Sequence, residues 1–110
     1  MSYGDVIILI MAKNITHNSV LESSIFRDNK EKSRFELNVE NATAYVDYIL
    51  DDNTITLYNT EIPAAIAKID NSGIHLIRSI VTACRDRNTK LFINCPYAKA
   101  ISKQLHVTES

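Results

Sequence analysis

Tryptophan is absent from this 110-residue chain, and only Phe26, Phe35 and Phe92 join its five tyrosines, so no platform for stacking bases is evident. Cysteine is scarce. Cys84 and Cys95 match neither a disulfide framework nor the paired spacing of a zinc site. Each reads as a small buried hydrophobe, and reduced thiols suit a cytoplasmic protein. No His, Glu and Cys spacing suggests a metal site either. Neither sign of charge dominates, because twelve basic against thirteen acidic side chains leave a net charge of −1. Without a basic stripe, nucleic acid and anionic membranes are not expected partners. The apolar run at residues 6–12 is too short to cross a bilayer, and it follows Asp5 instead of a basic segment, which makes a poor signal peptide. Internal repeats and low-complexity tracts are also lacking.

What is present is an ordinary globular balance, with 45% hydrophobic and 23% charged residues, enough for one domain with one core. Residues 1–22 read as an N-terminal extension or an added strand, with residues 23–110 as a single domain. From Ser33 onward the pattern is regular. Phe35, Leu37 and Val39 alternate with polar neighbours, and Ala44, Val46, Tyr48 and Leu50 do the same after a turn at Glu40-Asn41. A second turn at Asp51-Asp52-Asn53 leads to a third strand with Ile55 and Leu57 on one face. Three short strands joined by tight turns are expected to form an antiparallel meander.

Pro63 ends the third strand, since it offers no backbone donor. Residues 64–68 read as a helical turn or a loop, and Asp70-Asn71-Ser72-Gly73 combines turn chemistry with helix-capping residues. The next helix carries Ile74, Leu76, Ile77, Ile80, Val81 and Cys84 inward and His75, Arg78, Thr82 and Arg85 on its wet face, with Asn88 as a left-handed stop. Leu91-Phe92-Ile93 reads as a buried strand, and residues 97–106 as a last helix with Ala98, Ile101 and Leu105 inward. The expected class is α+β, a mixed sheet in which an antiparallel meander is followed by a βαβ crossover and a C-terminal helix. A crevice is expected where the crossover helix begins, beside the strand ends, as in phosphate-cofactor sites.

Thr60-Glu61-Ile62-Pro63, then a loop and helix, then Cys95-Pro96-Tyr97, resemble the small single-domain N-acetyltransferases of the GNAT superfamily. That group is marked by a pattern near H-T-E-V-P, a phosphate loop, and Cys-Pro followed by Phe or Tyr; the likeness spans roughly residues 26–106. The resemblance implies a GNAT-like fold and acetyl-CoA as cosubstrate, with an amine acceptor, an exposed protein or peptide amine suiting so short a chain, and a monomer or weak homodimer. It places cofactor contacts at Ile62, Lys68, Asn71, Ser72, Gly73, Ile74, Cys95 and Tyr97. Two regions depart from it. Asn59 stands where the family usually has histidine and cannot titrate near neutrality. In the loop, Lys68 replaces Gln or Arg, Asn71 replaces a glycine, Asp70 adds a carboxylate near the phosphates, and one extra residue follows Pro63.

Two residues are candidates for catalysis. Glu61 suits a general base for the amine, directly or through water, or is a solvated carboxylate at a strand end. Cys95 suits an acid toward the leaving thiolate, an acyl acceptor, or simple packing before a proline. Two functions therefore compete at this level: an acetyl-CoA-dependent N-acetyltransferase, and a non-catalytic module that keeps the fold and binds a partner.

Overall fold

The computed structural model describes residues 21–105, so the expectations for residues 1–20, including the apolar run at 6–12, lie outside the described residues. Five strands form one sheet in the order β1-β2-β3-β4-β5: Ile25–Asn29, Arg34–Val39, Ala42–Asp51, Thr54–Glu61 and Lys90–Ile93. The first four are antiparallel and β5 runs parallel to β4. Three helices follow β4 in the chain: α1 (Ala64–Ala67), α2 (Ser72–Asp86) and α3 (Pro96–Gln104). The α+β architecture read from the sequence is the one present, with one strand more in the meander.

That extra strand is β1. It pairs with β2 from Ile25↔Asn38 to Asn29↔Arg34. Its inward positions are Phe26, which stacks on Phe35 at 5.8 Å, and Asp28. Asp28 is tolerated inside because Tyr48 donates its hydroxyl to one carboxylate oxygen (2.7 Å) and Arg87 Nη1 meets the other at 2.7 Å. Burial, reinforced by that carboxylate, pushes the Tyr48 hydroxyl up to about 12. The knot ties β1, β3 and the residue capping the C-terminus of α2 together.

One face of the sheet carries the core. Phe35, Leu37, Val46, Leu57, Leu76, Ile77 and Ile80 are sealed between the strands and α2. The helix ends as its sequence suggests: Asn88 is left-handed (φ 55) and Thr89 N–H reaches back to the Cys84 carbonyl at 2.9 Å, the closure expected of a helix stop. Burial lifts the Cys84 thiol to about 11, the behaviour of an inert core cysteine.

Three side chains differ from the sequence expectation. Phe92 is 43% exposed, because β5 alternates Leu91 and Ile93 inward with Phe92 on the opposite face. Leu50 is 59% exposed, since it sits beside the β3–β4 hairpin loop and rims a polar cavity of about 300 Å³ with Tyr48, Asn53 and Arg87. His75 is half-buried instead of wet, lining a cavity of about 370 Å³ with Leu21, Glu22, Asn71, Ile74 and Arg78.

His75 has a pH consequence. Burial first, and the Arg78 charge second, hold its imidazole below the ordinary value. The unfolded chain therefore takes up the proton more readily, so stability is complete above about pH 6.5 and declines as pH falls through the unfolded-state value. Denaturation midpoints measured between pH 8 and 5 are expected to show this fall, and His75→Gln is expected to remove its share. An unchanged pH slope in the variant would contradict the assignment.

Candidate functional site

The site begins with a ladder that stops early. β4 and β5 pair through Thr54↔Lys90, Ile55↔Leu91, Thr56↔Phe92 and Leu57↔Ile93, followed by one bond from Asn94 N–H to the Leu57 carbonyl at 2.8 Å. At this level β4 carries an irregularity. Asp47 faces Asn59 while Tyr48 faces Leu57, so Tyr58 is an extra residue that bends the strand. Beyond it β4 stays with β3 through Thr60↔Val46 and Glu61↔Tyr45. The other branch reaches Pro96, which has no N–H for the ladder and opens α3 as its first residue. The two strands thus part, leaving an edge of β4 backbone beside the opening.

One side-chain contact spans the split. Thr60 Oγ1 and Cys95 Sγ lie 2.9 Å apart, and Cys95 is 5% exposed at the N-cap of α3. Thr60 pairs with the buried Val46 and faces the helices, whereas Glu61 pairs with Tyr45 on the helix-free face and is exposed. Glu61 therefore follows the residue that meets Cys95 but belongs to the opposite face of the sheet.

The start of α2 forms the second wall. Asn71, the residue before it, is left-handed (φ 66, ψ 14), the backbone conformation anticipated for an asparagine standing in for glycine. The first intrahelical bond is His75 N–H to the Asn71 carbonyl at 2.9 Å, so the Gly73 and Ile74 amides precede the helical ladder. No side chain caps this end and its first turn holds no acid. Ser72 and Gly73 are buried there, while Lys68 and Asp70 are exposed and Ile62 and Ile74 half-buried. The segment after Pro63 forms the one-turn α1, whose C-cap is Lys68.

Tyr97 explains why residue 73 is glycine. A Cβ at Gly73 would lie 2.0 Å from the Tyr97 hydroxyl oxygen, so the phenol rests directly on the helix's first turn. Tyr97 remains 42% exposed, and burial of the rest lifts its hydroxyl above the ordinary value. Gly73, Tyr97, Cys95 and Thr60 are thus one linked group around the split.

The helix-free face carries a polar lattice that sequence reading passed over. Arg27 and Asn29 bond Glu36 (2.8 and 3.0 Å), and Arg34 Nε and Asn59 Nδ2 bond Asp47 (3.0 and 2.9 Å). Burial alone would raise Glu36, but the bonds from Arg27 and Asn29 and the arginine charges bring it below the usual carboxylate value. Asp47 offered no signal beyond its polar place in an alternating strand.

A mixed sheet whose last, parallel pair splits beside an uncapped helix start is the arrangement of a GNAT-like fold. A family model described as GCN5-related N-acetyl-transferase matches residues 34–107, and the chain belongs to that family. No curated protein matches the chain. Among the described residues no cluster of three or more potential metal ligands occurs, and no helix is long and apolar enough to cross a membrane.

Proposed function

We propose that the chain transfers an acetyl group from acetyl-CoA to an amine by direct attack on the thioester. The observation that carries this reading is the end of the β4–β5 ladder at Leu57↔Ile93 beside the first turn of α2, which no side chain caps. Acetyl-CoA brings the activated acetyl thioester; the protein supplies binding, polarisation and proton movement. The Gly73 and Ile74 amides, at the positive end of the α2 dipole, suit a pyrophosphate. Lys68 is exposed nearby and complements its charge. Asp70 is exposed too, which lets its carboxylate turn to solvent. The β4 edge from Tyr58 to Glu61 provides backbone groups for the pantetheine amides and the acetyl carbonyl, with Ile62 and Tyr97 as apolar walls.

The amine nitrogen forms the new C–N bond as the C–S bond breaks. Glu61, directly or through water, takes the proton the nitrogen gives up, and the Cys95 thiol protonates the leaving sulfur before recovering a proton from solvent. Among the described residues Tyr58 and Phe92 lie exposed on the helix-free side, which suits approach of an exposed protein or peptide amine.

Release of CoA thiol with a panel of amines tests the proposal. Glu61→Gln and Cys95→Ala are each expected to lower kcat at least tenfold, toward the roughly hundredfold typical of lost proton transfer. Unchanged rates in both variants would return these residues to structural roles. Stabilisation by acetyl-CoA with no acetylation of any amine would make the chain a binding module instead.

A further inference from the structure

Asp47 is a carboxylate 9% exposed in the middle of the sheet, and the catalytic roles given above do not use it. Two groups hold it. Arg34 Nε bonds Oδ1 at 3.0 Å while its guanidinium lies 3.7 Å from the centre of the Tyr45 ring, so the arginine is fixed on both sides. Asn59 Nδ2 donates to Oδ2 at 2.9 Å. A carboxylate is acceptor-only when ionised, so the Asn59 amide must point its nitrogen at Asp47 and its oxygen elsewhere. Asn59 is half-buried and immediately precedes Thr60, whose hydroxyl reaches Cys95 across the split. It also sits next to the extra residue Tyr58, where β4 bends away from β5.

We infer that Asn59 Oδ1 is the acceptor-amine anchor of this protein, with Asp47 as the positioning residue that fixes the amide. An amide oxygen accepts one N–H of a neutral primary amine and leaves the nitrogen lone pair free for the thioester carbon. It takes up no proton itself, which leaves proton removal to Glu61, two residues along on the same face. The arginine balances the carboxylate, so the lattice presents a neutral acceptor and not a free anion, and this favours an uncharged amine as the bound form. The inference rests on the acetyltransferase reading and adds to it the face from which the amine enters, the helix-free side of the sheet.

The test uses the full chain, with calorimetry for acetyl-CoA and side-chain amide NMR for Asn59, measured at pH 8 in the presence of CoA. The amine probes are an aliphatic diamine, an arylamine and a lysine peptide with a free N-terminus. At least one probe is expected to shift the Asn59 amide resonances. Asn59→Leu is expected to raise the KM for that amine about tenfold with the acetyl-CoA affinity unchanged, whereas Asn59→His is expected to retain amine binding, because a neutral imidazole can donate to Asp47 from one nitrogen and accept from the other. Asp47→Asn, which keeps the shape but loosens the hold on the amide, is expected to raise the same KM. CoA binding without any probe perturbing Asn59, or an Asn59→Leu variant with unchanged amine KM, overturns the inference alone. Failure to bind CoA at all overturns the acetyltransferase reading and this inference with it.

Discussion

Phe35→Ala is expected to destabilise the domain by about 4 kcal/mol, the largest loss from any single truncation considered for this fold. Phe35 has no exposed surface, and its ring lies between Phe26 at 5.8 Å and Tyr48 at 4.9 Å. Removing it loses burial, leaves a cavity and frees the edge strand β1, whose main apolar anchor is the Phe26 stack. With domains of this size stable by roughly 5–15 kcal/mol, the variant would lose between about a quarter and four-fifths of its stability. A urea titration should show a much lower midpoint at similar slope. The control is Phe92→Ala. Phe92 is 43% exposed on the helix-free face, and its loss is expected to cost less than about 1 kcal/mol. Equal losses at the two positions would contradict the assignment of faces.

Gly73→Val is expected to weaken acetyl-CoA about a hundredfold, roughly 2.7 kcal/mol of binding free energy, with little loss of fold. The added Cβ would meet the Tyr97 hydroxyl oxygen at 2.0 Å. The phenol is the far end of a half-exposed side chain, so it can swing aside, and valine is better tolerated than glycine inside a helix. Stability therefore changes by about 1 kcal/mol or less. Binding suffers more, because the branched side chain then covers the amides that open α2 and blocks close approach of a phosphate to the backbone. Calorimetry of acetyl-CoA beside thermal unfolding of the same variant separates the two effects. Unchanged affinity would show that Gly73 serves only the Tyr97 contact.

Much of this frame was legible in the residues. Strands β2, β3 and β4 announce themselves through alternation, and Asn71 and Asn88 are both left-handed where the sequence suggested helix boundaries. β1 was not legible, for a definite reason. Its inward positions are Phe26 and Asp28 and its outward ones include Ile25, 63% exposed, so the hydrophobic alternation is inverted in half the strand. Only the partners of Asp28, Tyr48 and Arg87, make that arrangement tolerable, and they are distant in sequence. The irregularity at Tyr58 has no composition signal either, though it decides where β4 leaves β5.

The candidate site divides the same way. Cys95, Glu61, Gly73 and Tyr97 stand out as motif positions, but the bond between Thr60 and Cys95 joins residues 35 apart and needs the fold to bring them together. The worry over Asp70 eases, since it is exposed and the first turn of α2 carries no acid. Asp47 is the opposite case, an unremarked strand residue that the fold buries against Arg34 and Asn59.

The most direct measurement is a titration of the isotope-labelled protein with acetyl-CoA, read at the backbone amides. Acetyl-CoA should shift Gly73 and Ile74 at the start of α2 and Asn59, Thr60 and Glu61 along the β4 edge, and leave the far end of the sheet at Asp52 and Asn53 unmoved. Saturating ligand at about a hundred times its Kd should also stabilise the fold by about 2.7 kcal/mol. Absence of both responses at millimolar acetyl-CoA, or shifts confined to other surfaces, would contradict the account.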